Sequence, residues 1–176
     1  MVYKGVFTVF TQFCLLLLQL QFGNLGWYLP LAQLGALYTV LALGRNWGIA
    51  AAVINSLVLS ALYGGSWNLL YIIFNPLLAG ALGWWIDRHD EDIRADFFVP
   101  GIWAGAMAAL PKLLQEIFNW MINGIFPADL HITLLKMVWC ALVSGGVFLL
   151  FIFWGEALTE FFGMPRFASR KGGHKR

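Results

Sequence analysis

The chain has 176 residues, of which 60% are hydrophobic and only 11% charged, with a formal net charge of +2. Soluble domains carry roughly 25% charged residues, so this composition excludes an ordinary water-soluble globule. It also leaves almost no mass for an aqueous domain, and places whatever the chain does inside a membrane or at its surfaces.

A transmembrane helix needs about 20 mainly apolar residues. Stretches of that kind fall at 5–22, 27–43, 47–63, 67–86, 97–120 and 132–158. The pattern predicts an all-α polytopic membrane protein: a compact bundle of six transmembrane helices at 1–164, with short loops, and a basic tail at 165–176. The first span follows Lys4, as a secretory signal would, but it continues into Gln19 and Gln21 without a small-residue cleavage site. It is therefore read as a retained helix. Tight turns are expected at 23–26, 44–46 and 64–66, with longer loops only at 87–96 and 121–131.

Small residues mark the faces where helices approach closely. Span three carries Gly44, Gly48, Ala52, Ser56, Ser60 and Gly64 at intervals of four, and span five carries Gly101, Gly105 and Ala109. In lipid, close packing at such stripes drives helix association. They serve either packing within the bundle or docking of a partner helix; the candidate partner-binding residues are Gly48, Ala52, Ser56, Gly101 and Gly105. Gly80 and Gly83 loosen span four, and Ser144, Gly145 and Gly146 loosen span six. Pro76 and Pro111 each remove a backbone hydrogen bond and favour a kink.

Charge sets the orientation. With the N-terminus in the cytoplasm, Lys4, Arg45, Arg88, Arg94, Arg166, Arg170, Lys171, Lys175 and Arg176 all fall inside, nine of the 11 Lys and Arg. The outer turns carry none, as the positive-inside rule requires, so both termini are expected in the cytoplasm. Trp27, Tyr28, Tyr63, Trp67 and Trp120 gather at the outer boundary, and Trp47, Trp84, Trp85 and Trp154 nearer the inner one. The tail is a topology anchor or a contact for anionic membrane lipids. Five basic residues on a short tail are common in membrane proteins and do not point to nucleic acid.

The remaining cations, Lys112 and Lys136, lie within spans five and six. Lys112, Glu116, Asn119 and Asn123 follow helical spacing and share a face, with Gln115 beside them. Lys112 and Glu116 are placed to pair, and Lys136 is placed to reach Glu116 across the hairpin. A charge in hydrocarbon costs about 2.5–3.5 kcal/mol, so Lys112, Glu116, Asn119 and Lys136 form either a structural or snorkelling set or a ligand or partner site. Asn55, Asn68 and Asn75 are weaker polar points for bonds between helices.

No nucleophile–base grouping, phosphate loop or metal motif occurs, and no cofactor or enzymatic activity is expected. The inner loop runs from Asp87 through His89, Asp90, Glu91 and Asp92 to Asp96, but lacks the glycine and terminal glutamate of a calcium loop. It reads as a solvated turn. His131 and His174 are too scattered to join His89 in a site. Cys14 and Cys140 read as small packing residues.

The middle of the chain carries a family likeness. It reads Leu31-Ala-Gln-Leu-Gly-Ala-Leu-Tyr-Thr-Val-Leu-Ala-Leu-Gly-Arg45-Asn-Trp-Gly48, then the small-residue third span, then Tyr63-Gly-Gly-Ser-Trp-Asn-Leu-Leu and Leu78-Ala-Gly-Ala-Leu-Gly-Trp-Trp. With the size and the six short-looped spans, this resembles the MreD family, integral-membrane components of the bacterial rod-shape machinery. Members commonly carry an acidic residue near the end of span three, where this chain has Ser60-Ala-Leu-Tyr. The resemblance implies a non-enzymatic scaffold of the bacterial inner membrane. It would bind an MreC-like bitopic protein and couple an MreB-like actin homologue to RodA-like and penicillin-binding enzymes of peptidoglycan synthesis. The family fold is similar to the substrate-binding subunits of energy-coupling-factor vitamin transporters, which supplies the alternative. There Lys112, Glu116, Asn119, Trp120 and Lys136 would line an outward pocket, but span one is bulky where those subunits have alanines.

Overall fold

A computed structural model describes residues 2–24, 29–63, 70–88, 98–124 and 129–161. Among them every regular element is helical: α1 (Val2–Asn24), α2 (Leu31–Leu43), α3 (Arg45–Tyr63), α4 (Leu70–Arg88), α5 (Phe98–Asn123) and α6 (Leu130–Phe161). Three carry segments long and apolar enough to cross a membrane, Arg45–Leu62, Leu70–Arg88 and Leu130–Gly155, while Thr8–Gly23 and Leu31–Leu43 are apolar but shorter. α5 has the length, at 26 residues, but Lys112, Gln115, Glu116 and Asn119 dilute its apolar character. The expectations for Trp27, Tyr28, Gly64, Trp67, Asn68, the inner loop beyond Arg88 and the basic tail fall outside the described residues.

Several boundaries move, each for a local reason. α2 starts at Leu31, directly after Pro30. Proline lacks the donor a helix interior needs and holds the residue before it extended, so the helix opens behind it. The turn expected at 44–46 contracts to Gly44 alone, at φ +103°, and Arg45 already opens α3. Only glycine adopts that φ without strain, which lets one residue reverse the chain. α5 continues past residue 120 to Asn123 and stops at Gly124, at φ +66°, whose N–H donates to the Trp120 carbonyl at 2.8 Å. That is the usual glycine stop of a helix.

α2 is the shortest helix, at 13 residues about 20 Å long, and it sits in the middle. Leu31–Leu37 are buried without a break, and the helix touches every other one. A helix apolar on all sides belongs in an interior. Leu34, Leu37, Val40 and Leu41 form the core with Ala52, Ala79, Leu82, Ala104 and Phe148. Around this centre the usual soluble pattern is reversed. Phe10 and Phe13 of α1, Ile54 of α3, Leu77 of α4 and Phe153 of α6 are exposed, whereas Gln12, Gln19, Asn55, Ser56, Asn75 and Ser144 are buried. So much exposed apolar surface needs a hydrocarbon surround.

Specific contacts set the depth of each helix. Gly5 packs on Trp47, Arg45 lays its stem against Gly83, and Gly155 meets the Tyr38 ring. The start of α1, the junction of α2 with α3, and the ends of α4 and α6 therefore share one end of the bundle. At the other end the Tyr71 hydroxyl, near the start of α4, donates to the Ala108 carbonyl of α5. From Ala108, α5 runs on to Asn123, roughly 20 Å further along its axis. This half packs on α6 and lies beyond the level of Tyr71, where the described part of α4 begins. Every residue from Phe118 to Gly124 is exposed.

α5 and α6 touch backbone to backbone. A Cβ at Gly105 would lie 2.5 Å from the Cys140 carbonyl and 2.7 Å from Ala141 Cα, and one at Gly101 would lie 2.8 Å from Gly145 Cα. Gly105→Leu is therefore expected to lower the unfolding free energy by about 2–3 kcal/mol, or to abolish folding, as read from thermal unfolding in mild detergent. Gly146→Ala is the control: its added Cβ meets nothing within 4 Å. It should be neutral or stabilise by about 0.5–1 kcal/mol, because alanine suits a helix better.

Candidate functional site

The small-residue stripes of α3 and α5 make close contacts inside the bundle. Gly101 and Gly105 are consumed by α6, and a Cβ at Gly48 would lie 2.9 Å from the Val40 backbone of α2. Ala52 and Ser56 are 2% and 0% exposed. All five candidate residues are buried, and the close approach at Gly48, Gly101 and Gly105 is made within the chain, as the packing reading of the stripes expects. The proline-bearing helices α4 and α5 continue through Pro76 and Pro111.

The polar set of the hairpin is assembled differently from the expected ion pair. Thr133 of α6, itself buried, donates its hydroxyl to Glu116 Oε1 at 2.8 Å. Glu116 Oε2 is buried without a hydrogen-bond partner, so neither Lys112 nor Lys136 reaches it. Both lysines are exposed, as are Gln115, Asn119 and Trp120. The Glu116–Thr133 bond and the Gly105–Ala141 contact fix the antiparallel register, which brings Lys112 and Lys136 to about the same level. These exposed side chains stand along the far half of the α5–α6 hairpin.

A second polar set lies buried among α1 to α4. The Thr39 hydroxyl donates to the Gly35 carbonyl at 2.9 Å. Its oxygen must then accept, and Gln12 Nε2 donates to it at 3.1 Å. That turns Gln12 Oε1 towards Asn55, whose Nδ2 donates to it at 2.8 Å and to the Ala32 carbonyl at 2.9 Å. Two backbone carbonyls thus fix the orientation of every amide in the chain of bonds. Gln19 Oε1 accepts from the Ala32 N–H at 2.9 Å. A side chain of α1 thereby caps the first turn of α2, where the helix has no internal acceptor. Next to Asn55, Ser56 donates to the Ala52 carbonyl at 2.7 Å and accepts from Asn75 Nδ2 of α4 at 2.9 Å.

Of this network the sequence marks Asn55 and Asn75 as weak polar points and Ser56 as a member of the small-residue stripe. Gln12, Gln19, Gln33 and Thr39 were not singled out. A signal was present: Thr8, Gln12 and Gln19 recur at helical spacing on one face of an otherwise apolar α1, and polar residues in a span usually turn inward. Among the described residues, no cluster of His, Cys, Asp or Glu is suited to a metal ion. At the basic end, the Arg88 guanidinium stacks over Trp84 at 4.4 Å. Comparison with known protein families, curated proteins and solved structures finds no match for this chain.

The network predicts coupling between distant positions. In a double-mutant cycle of Gln12→Leu and Asn55→Leu, measured by thermal unfolding in lipid–detergent micelles, each single change should destabilise the protein. The double should fall short of their sum by about 1 kcal/mol, near the upper range for bonds between membrane helices. Strict additivity would mean the two amides do not work as a pair.

Proposed function

We propose that this protein is a six-span scaffold of a bacterial inner membrane with both termini in the cytoplasm. In this reading it binds an MreC-like bitopic protein and helps couple an MreB-like cytoskeleton to RodA-like and penicillin-binding enzymes. The orientation is supported by Arg45 and Arg88 lying at the same end of the bundle as the start of α1 and the end of α6. The positive-inside rule puts that end in the cytoplasm.

The observation that carries the scaffold reading is the far half of the α5–α6 hairpin. Phe118, Met121, Ile122, Ile132 and Leu135 are exposed there. With the small-residue stripes closed inside the bundle, this exposed half-hairpin is the element assigned to partner contact. The vitamin-carrier alternative draws less support, because its expected lining residues Lys112, Asn119, Trp120 and Lys136 are exposed on the half-hairpin.

Replacing Met121 and Leu135 together with Ser tests this reading. Recovery of the MreC-like protein of the same cell on co-purification should fall about tenfold, the size of a central contact residue's effect, with insertion unchanged. Gly101→Leu should instead lower the yield of folded protein. Full partner recovery with the serine variant would remove the hairpin as the docking element, and uptake of a vitamin with no partner would favour the carrier.

A further inference from the structure

We propose that the junction of α2, α3 and α4 holds a structural water that bridges Gln33 and Asn75. The Asn55 bond to the Ala32 carbonyl brings those two residues to one depth on α3 and α2. Each is followed by a polar residue, Ser56 and Gln33. One residue further is a turn of about 100° on either helix. Because the helices run antiparallel and have the same hand, these turns swing Ser56 and Gln33 to the same side of the α2–α3 plane. α4 lies on that side, since Asn75 donates to Ser56. Gln33, Ser56 and Asn75, at 4%, 0% and 4% exposure, therefore converge at one level from three helices.

What they present there is acceptors. Gln33 Oε1 and Asn75 Oδ1 are buried without a donor. Asn75 cannot turn its amide to correct this: Ser56 gives its proton to the Ala52 carbonyl, so its oxygen accepts and Asn75 must point Nδ2 towards it. A buried acceptor without a donor costs about 1–3 kcal/mol, and two such groups reaching one level from α2 and α4 call for a shared donor. An anion would meet the two acceptor oxygens, Gln33 Oε1 and Asn75 Oδ1. A cation finds no carboxylate to balance its charge in a low-dielectric interior. Water supplies two donors, is neutral, and commonly fills such positions with about three hydrogen bonds. It would tie α2 to α4.

The test is pulsed hydroxyl-radical labelling of the full-length protein in lipid nanodiscs, prepared in heavy-oxygen water. Tyr71 lies one turn from Asn75 and is 5% exposed, and Phe148, at 0%, is the buried aromatic control. Radicals formed from the bound water should modify Tyr71 several-fold more than Phe148. The double variant Gln33→Met with Asn75→Leu should lose that excess. Tyr71 labelled no more than Phe148 in the unaltered protein would overturn the proposal without relying on any variant. Unfolding of the two single variants and the double gives an independent reading: a bridge predicts a departure of about three- to tenfold from multiplicative equilibrium constants, and strict independence would overturn it. A hydroxyl- or amine-bearing solute released in equal amount on denaturation would also overturn it, by naming a different donor.

Discussion

The fold depends on satisfying the polar groups of a short central helix that water does not reach. α2 is buried along most of its length, so its orphan first-turn groups must be paired by other helices. Gln19 takes the orphan Ala32 N–H, Asn55 adds a second donor to the Ala32 carbonyl that the helix already engages, and Gln12, itself held by Thr39, accepts from Asn55. Each bond between membrane helices contributes only about 0.6 kcal/mol on average. Leaving a buried backbone group unpaired costs about 1–3 kcal/mol. The network therefore acts mainly by excluding arrangements in which those groups have no partner, and it fixes how α1, α2 and α3 meet. Ser56 and Asn75 extend the same layer to α4.

Packing follows from this arrangement. Once the polar layer sets depth, Gly48 meets the α2 backbone and Gly83 receives the Arg45 stem. On the other side, Gly101 and Gly105 lock α5 to α6. Hydrophobicity does not drive these contacts in lipid, whose tails are as apolar as leucine; the closeness of approach does. The consequence for function is that the bundle uses its small-residue faces on itself. The far half of the α5–α6 hairpin, held by Glu116 and Thr133, keeps Phe118–Gly124 exposed.

The helices were largely legible because apolar runs and turn glycines are local signals. Gly44 marked a reversal whose brevity was not readable, since its positive φ appears only in the folded chain. The small-residue stripes were legible as close-approach faces, but their partners were not: the spacing of Gly101 and Gly105 is the same whether the facing helix is α6 or another protein's. Glu116 was legible as a polar point in a span, yet its bond to Thr133 depends on the hairpin register, which no single segment encodes. Thr39 and Gln33 were hardest to foresee, because one uncharged polar residue in an apolar helix gains meaning only from neighbours brought in by other helices.

The central claim is that the bundle closes on itself and offers the far half of the hairpin as its contact face. A photo-crosslinking scan in living cells tests it most directly, with the reactive residue placed in turn at Val9, Leu57, Leu77, Met121 and Leu135, all of them exposed. The account predicts protein adducts from Met121 and Leu135, and only lipid adducts from Val9, Leu57 and Leu77. Protein adducts from Leu57 or Leu77, with none from the hairpin, would contradict it.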